Sequence, residues 1–300
     1  MSGTGARISS LLSNSEIGRV ERLRLNANRR FTNRARGEHL AGRGGSSIEF
    51  ADFRDYQHGD DIKYVDWNIF ARLQRPYLKL YRQEEELTVT ILIDASESMG
   101  FGDKLLRAKQ YALATAIMGL WAGERVTVHV AGQDPKRTET LRPARGRGSL
   151  RRVIEFIERI EPGGAVPLET AIEAMLMRHR GRGVCLVLSD FLTGGDIEKG
   201  SNALFAAGLE QFLVQVLSGA ELDPEFSGDM RLVDSETEAM LDVSGAGGLL
   251  AIYQDHLQAF ADRLGLLAKQ RSGRFMRLDC DEPFAAQFFE GWRRAGWVVG

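Results

Sequence analysis

Two cysteines in 300 residues, Cys185 and Cys280, are too few for a disulfide framework or a cysteine-built zinc site. Cys185 sits inside the apolar run Val184-Cys185-Leu186-Val187-Leu188 and reads as a core thiol. No apolar stretch approaches the ~18 residues of a membrane span. The first fifteen residues are small and polar and lack the apolar segment of a secretory signal, so the expected compartment is the cytoplasm. Neither sign of charge dominates: 39 Lys and Arg face 41 Asp and Glu, a net charge of −2 that gives no general reason to expect nucleic acid or an anionic membrane. The five histidines (His39, His58, His129, His179 and His256) are scattered, and none adjoins a nucleophile elbow. Arg145-Gly146-Arg147-Gly148-Ser149 precedes a helical pattern but lacks the spacing of a phosphate-binding P-loop, so ATP binding is not expected.

What is present is ordinary globular material, 43% apolar and 27% charged, in a chain long enough for one large or two modest domains. Residues 1–14 read as a loose tail. Over 16–31, Ile17, Val20, Leu23, Ala27 and Phe31 recur at helical spacing opposite Arg19, Arg22, Arg24, Arg29 and Arg30. Glycines then mark a loop over 41–47, and 48–67 mixes aromatics with paired acids. The alternation over 77–82 suggests a half-exposed strand. From about 85 to 220, apolar strand runs alternate with helical patterns, which implies a right-handed, mostly parallel sheet covered by helices. An acidic hairpin is expected near 221–243, then a long helix over 249–268, a last strand and a closing helix.

The informative feature stands at the end of the first buried run. Leu87-Thr88-Val89-Thr90-Ile91-Leu92-Ile93 leads into Asp94-Ala95-Ser96-Glu97-Ser98, a carboxylate and two hydroxyls each one residue apart. Open α/β sheets bind ligands at such strand ends. The oxygen cluster suits a small divalent cation or an anchored acidic group, while the same residue types also serve as plain strand-end turns. Asp190 ends a later buried strand. If the two strands are neighbours where strand order reverses, both acids face one crevice. Two bare carboxylates ~4 Å apart would repel by about 4 kcal/mol, which a cation or a shared proton relieves.

Asp94-x-Ser96-x-Ser98 after an apolar strand resembles the metal-ion-dependent adhesion site of von Willebrand factor type A domains. Upstream, Glu49-Phe50-Ala51-Asp52-Phe53-Arg54-Asp55-Tyr56, Gly59-Asp60-Asp61 and Asp66-Trp67 in that order resemble the signature of the bacterial domain of unknown function 58 family, whose members carry such a domain. The resemblance implies an α/β, three-layer, von Willebrand A-like (Rossmann-like) fold over 85–300, with a family-specific N-terminal extension over 15–84. It implies no catalytic activity. It implies a magnesium ion held by Asp94, Ser96, Ser98 and Asp190, and a non-enzymatic, co-chaperone-like adaptor working with a MoxR-type AAA+ ATPase or that ATPase's client. One departure stands out. Type A sites usually take a threonine from a Gly-Gly-Thr turn, and this chain has Gly163-Gly164-Ala165-Val166-Pro167, so water would have to replace one direct oxygen ligand.

Glu97 and Ala165, beside these loops, and Arg22, Arg29 and Arg30 of the basic stripe are the further candidates for partner contact. Two other functions fit parts of the pattern. A metal-dependent hydrolase would use the same acids but needs a general base, for which Glu97 is the near candidate. A nucleic-acid binder would use the arginine stripe, which more ordinarily is a solvated or docking face. The acids of 59–66 are expected to cap turns and pair with Arg54 and Arg72, and Phe53, Tyr56 and Trp67 to be core or wedge residues.

Overall fold

Seven consecutive buried residues, Thr88–Asp94, form the first strand (β1) of the main sheet, because a strand covered on both faces needs apolar side chains on both. The computed structural model describes residues 7–27, 32–33, 48–84, 87–132, 139–192, 195–224, 230–233, 240–243 and 246–300. They divide into two units, Met1–Asn28 with Thr88–Gly300, and Arg29–Leu87.

In the larger unit the sheet comprises β1, β2 (Arg125–Ala131), β3 (Thr140–Ala144), β4 (Gly183–Ser189), β5 (Leu209–Leu217) and β6 (Arg274–Asp279). Their spatial order is β6-β5-β4-β1-β2-β3; every neighbouring pair is parallel except β2 and β3. The chain winds outward from β1 in one direction and then returns to build β4 against its other side. The order therefore reverses between β1 and β4, where such sheets open a crevice. Helix α1 (Lys104–Trp121), with the N-terminal helix Asn14–Val20 beside it, covers one face. The other face packs α3 (Leu168–Leu176), α4 (Ile197–Ala206) and α5 (Ala246–Gln270) on Leu92, Cys185, Val187 and Leu213. Each aliphatic side chain fully buried there contributes about 1.5–3 kcal/mol of transfer free energy. Helix α2 (Leu150–Glu158) lies beside α1. The expected three-layer α/β architecture is thus present, and Cys185 is a buried core thiol.

Three expectations about the chain's beginning do not hold. Residues 7–13 are no loose tail: Leu11 and Leu12 are buried, and the Ser9 and Ser10 hydroxyls donate to Glu158 at 2.7 and 2.9 Å. The basic helix ends at Val20 instead of reaching Phe31. Ser13 and Glu16 start it with a reciprocal capping box, but after the turn Arg24–Leu25 pairs antiparallel with Val298–Val299. An edge pairing from the far end of the chain overrides local helical spacing. The extension expected from residue 15 therefore begins, as a unit, at Arg29.

The smaller unit is an antiparallel sheet in which Tyr77–Glu84 takes Ile48–Asp55 on one side and Thr32–Asn33 on the other. Its acids act as caps and pairs. Asp60 meets Arg54 at 2.7 Å, and Asp66 caps the helix Trp67–Leu73 by accepting from the Asn68 and Ile69 amides. Lys79, at 2.9 Å, answers Asp66 in place of the expected Arg72. Of the residues expected as core or wedge, Trp67 and Phe53 are exposed and so are not core; Trp67 rests edge-on against Phe70. Among the described residues, no helix is long and apolar enough to cross a membrane. The acidic region holds the expected hairpin strands, Met230–Val233 against Met240–Val243.

Candidate functional site

The crevice at the switch point is assembled by short hydrogen bonds between three loops. The first follows β1. The Asp94 carboxylate accepts the Ser96 amide (2.9 Å) on one oxygen and the Ser189 hydroxyl (2.5 Å) on the other. Ser189 is the last residue of β4, so this bond ties the two strand ends across the switch point. The Ser96 and Ser98 hydroxyls lie 3.2 Å apart. The second loop is the Gly163-Gly164 turn: the Gly163 amide donates to the Ala95 carbonyl (2.8 Å), and the Glu97 amide donates to the Gly164 carbonyl (2.9 Å). Ala165, where a hydroxyl would complete a metal site, is therefore beside the acid–hydroxyl loop. The third loop follows β4. Phe191 is held left-handed (φ 59°), an uncommon conformation for a bulky residue, with its amide donating to Ser189 Oγ at 2.8 Å. The Leu192 amide donates to Asp190 Oδ1 at 3.0 Å.

Both sequence-identified acids thus meet at one edge of the sheet, and both are fully buried, as is Ser96, while Ser98 is half-buried. Burial pushes the Asp94 carboxyl above the usual carboxylate range; the Ser189 and Ser96 donors oppose this, and the nearby Asp190 charge reinforces it.

A residue outside the motif completes the cluster. Lys104, at the first position of α1, is fully buried, and its ammonium lies 2.9 Å from Asp190 Oδ2 and 2.7 Å from Glu221. Burying an ammonium unpaired costs several kcal/mol. Desolvation by itself would lower the lysine pKa, but attraction to Asp190 and the bonds to Glu221 and Asp190 outweigh it and hold the group above its ordinary value. Glu221 is oriented by a second capping box: its other oxygen accepts the Ser218 amide and hydroxyl at 2.8 and 3.0 Å. Lys104 therefore fastens the ends of β4 and β5 to the start of α1. One signal for it was readable. A lysine in the first turn of a helix opposes the macrodipole, so its place there asks for another partner.

The expected magnesium ion does not fit this donor set. All four oxygens of Asp94 and Asp190 are engaged by protein donors, one of them a full cationic charge, and the turn offers Ala165 instead of a hydroxyl. Among the described residues, no group of three or more His, Cys, Asp or Glu is placed to hold a metal. The expected set has only two carboxylates, and each of their oxygens already accepts a protein donor.

The rim is different in kind from the floor. Glu97, Phe101, Ala165 and Leu192 are exposed around the buried cluster. Beside Phe191 and Leu192 opens a cavity of about 580 Å³ lined also by Leu168, Glu169, Phe260 and Arg263, which sequence reasoning missed because its walls come from α3, the start of α4 and α5. Of the arginine candidates, Arg22 is exposed on the turn after the N-terminal helix, and Arg29 and Arg30 lie outside the described residues. Arg19, from the same stripe, is exposed and stacks over Phe289 at 3.6 Å.

The family model described as "Protein of unknown function DUF58" matches residues 52–251. Uncharacterized protein Rv1480 of Mycobacterium tuberculosis (strain H37Rv) is 27% identical over 213 residues, 69% of this chain and 67% of its own; Mb1516 of Mycobacterium bovis matches to the same extent. Among solved structures, the conserved hypothetical protein BatB from Bacteroides thetaiotaomicron aligns over 70% of this chain and 98% of its own (16% identity, TM-score 0.43). A von Willebrand factor type A protein from Catenulispora acidiphila aligns over 46% and 35% (17% identity, TM-score 0.36).

Proposed function

Because the chain belongs to the DUF58 family of proteins of unknown function, we propose its role from the site itself: a non-enzymatic adaptor that docks a protein partner on the crevice edge of its α/β sheet. The observation that carries this reading is the division between floor and rim. The floor groups Asp94, Ser96, Ser189, Asp190 and Lys104 are buried and occupied with one another. A reacting group needs to be exposed to substrate, whereas these groups hold loops in place. The exposed rim offers a carboxylate (Glu97), two large apolar side chains (Phe101, Leu192) and an adjoining cavity, the mixture of apolar anchors and polar edge that protein interfaces use.

The partner in this reading is a MoxR-type AAA+ ATPase or that ATPase's client, as the family resemblance implies. The test is direct binding of the purified chain to the MoxR-type ATPase of the same organism, measured by biolayer interferometry. Leu192→Asp and the pair Glu97→Lys with Ala165→Arg alter only exposed rim positions. Each is expected to weaken binding at least about tenfold, the loss typical of a central anchor. Undiminished binding by both variants moves the interface elsewhere, and no binding by the wild type removes the ATPase as the direct partner.

A further inference from the structure

We propose that the Lys104 ammonium is the resident cation of the crevice and that the site works without a divalent metal. The inference rests on geometry alone and does not depend on the adaptor reading. Lys104 reaches the site from ten positions beyond Asp94, and its Nζ stands between Asp190 Oδ2 and Glu221 Oε1 at 2.9 and 2.7 Å. Asp190 follows β4 and Glu221 lies on the short helix Gly219–Leu222 after β5; a cation bridging two such carboxylates supplies the positive charge a divalent ion would otherwise bring to Asp190.

The remaining donors leave a metal little to bind. Asp190 Oδ1 is taken by the Leu192 amide, and Asp94 by the Ser96 amide and the Ser189 hydroxyl. A magnesium ion holds its oxygens at about 2.0–2.1 Å and prefers an octahedron. Bound to Asp190, it would stand beside the ammonium and find hydroxyls only at Ser96 and Ser98, with Ala165 contributing none. The two cations are alternatives. Lys104 cannot swing away cheaply, since its side chain is 1% exposed and the Glu221 that receives it is itself fixed by the Ser218 capping box.

The full-length protein is titrated with magnesium by calorimetry and with manganese by the electron paramagnetic resonance of the free ion. No saturable one-to-one binding is expected up to about 1 mM metal, the weak end of carboxylate sites. Lys104→Met removes the ammonium while preserving length, and is expected to acquire saturable manganese binding at least about tenfold below that 1 mM limit. Saturable wild-type binding below that concentration overturns the proposal. A folded Lys104→Met that binds no metal also overturns it, because the lysine is then not what excludes the ion. Should Lys104→Met fail to fold, Lys104→Gln, which keeps hydrogen-bond donors, replaces it. The wild-type melting temperature supplies a readout free of any variant: it should be equal in manganese and in chelator, and a rise with metal concentration would contradict the inference.

Discussion

Removing the Lys104 ammonium should loosen the crevice from the inside, and the size of the effect follows from its surroundings. The Lys104 and Asp190 side chains are 1% and 0% exposed with 2.9 Å between charged atoms. At that distance two unit charges attract by roughly 6 kcal/mol at an effective dielectric of about 20. Much of this is offset by the cost of taking both charges out of water. Lys104→Met therefore does not simply lose the attraction. It leaves Asp190 buried and unpaired, a change that costs about 3–5 kcal/mol. Asp190→Asn leaves the ammonium with Glu221, which is 19% exposed and still 2.7 Å away, so the loss is nearer that of one charge-assisted hydrogen bond, about 1.5–3 kcal/mol. The double variant removes both charges together. It should be more stable than the sum of the single losses implies, by about 1–3 kcal/mol. Urea unfolding of the four proteins at neutral pH, followed by far-ultraviolet circular dichroism, measures all three quantities. Strictly additive single effects, or a Lys104→Met cost below about 1 kcal/mol, would refute the claim that the pair is buried and coupled.

Two further outcomes follow from groups near the same edge. His129 on β2 is buried with its ring bonded to Thr140 at 3.1 Å; burial, aided by His179 and Arg178, pulls its pKa down to about 4. The unfolded chain then binds a proton that the folded chain refuses, so this contribution is present above pH ~6.5 and is lost as pH falls toward 4. The offset corresponds to about 3 kcal/mol, read as the difference between wild type and His129→Gln in urea midpoints across that window; equal pH slopes for the two proteins would discount it. Gly132, after β2, has φ 127°, and a Cβ there would lie 2.6 Å from the Ala95 carbonyl carbon. Gly132→Ala is expected to displace the acid–hydroxyl loop and cost about 2 kcal/mol or more, with amide protection lost around Ser96. Unchanged protection there would show that the loop does not depend on this close approach.

What could be read beforehand, and what could not, divides along the range of the interactions involved. Asp94 and Asp190 were legible because each ends a run of buried strand residues, and a β/α alternation leaves few ways to arrange parallel strands. The Gly163-Gly164 turn was legible as a place lacking a hydroxyl, and it does lie against Glu97. The helix stop at Val20 was not, because the competing partner, Val298–Val299, is almost the whole chain away. The exposure of Trp67 was not legible for a related reason. Composition marks an aromatic as buried, while the cap at Asp66 fixes only where the helix starts and not which side chains face outward. Lys104 is the most instructive case, since its first-turn place says that a partner is needed while its neighbours Asp103 and Leu105 do not say which. Its role appears only when Asp190 and Glu221, the first 86 and the second 117 positions later, converge on its ammonium. A strand-end motif of acids and hydroxyls thus shows where a positive charge is wanted. Which charge supplies it is decided by tertiary packing, and here the Lys104 ammonium already stands against Asp190, one of the two acids.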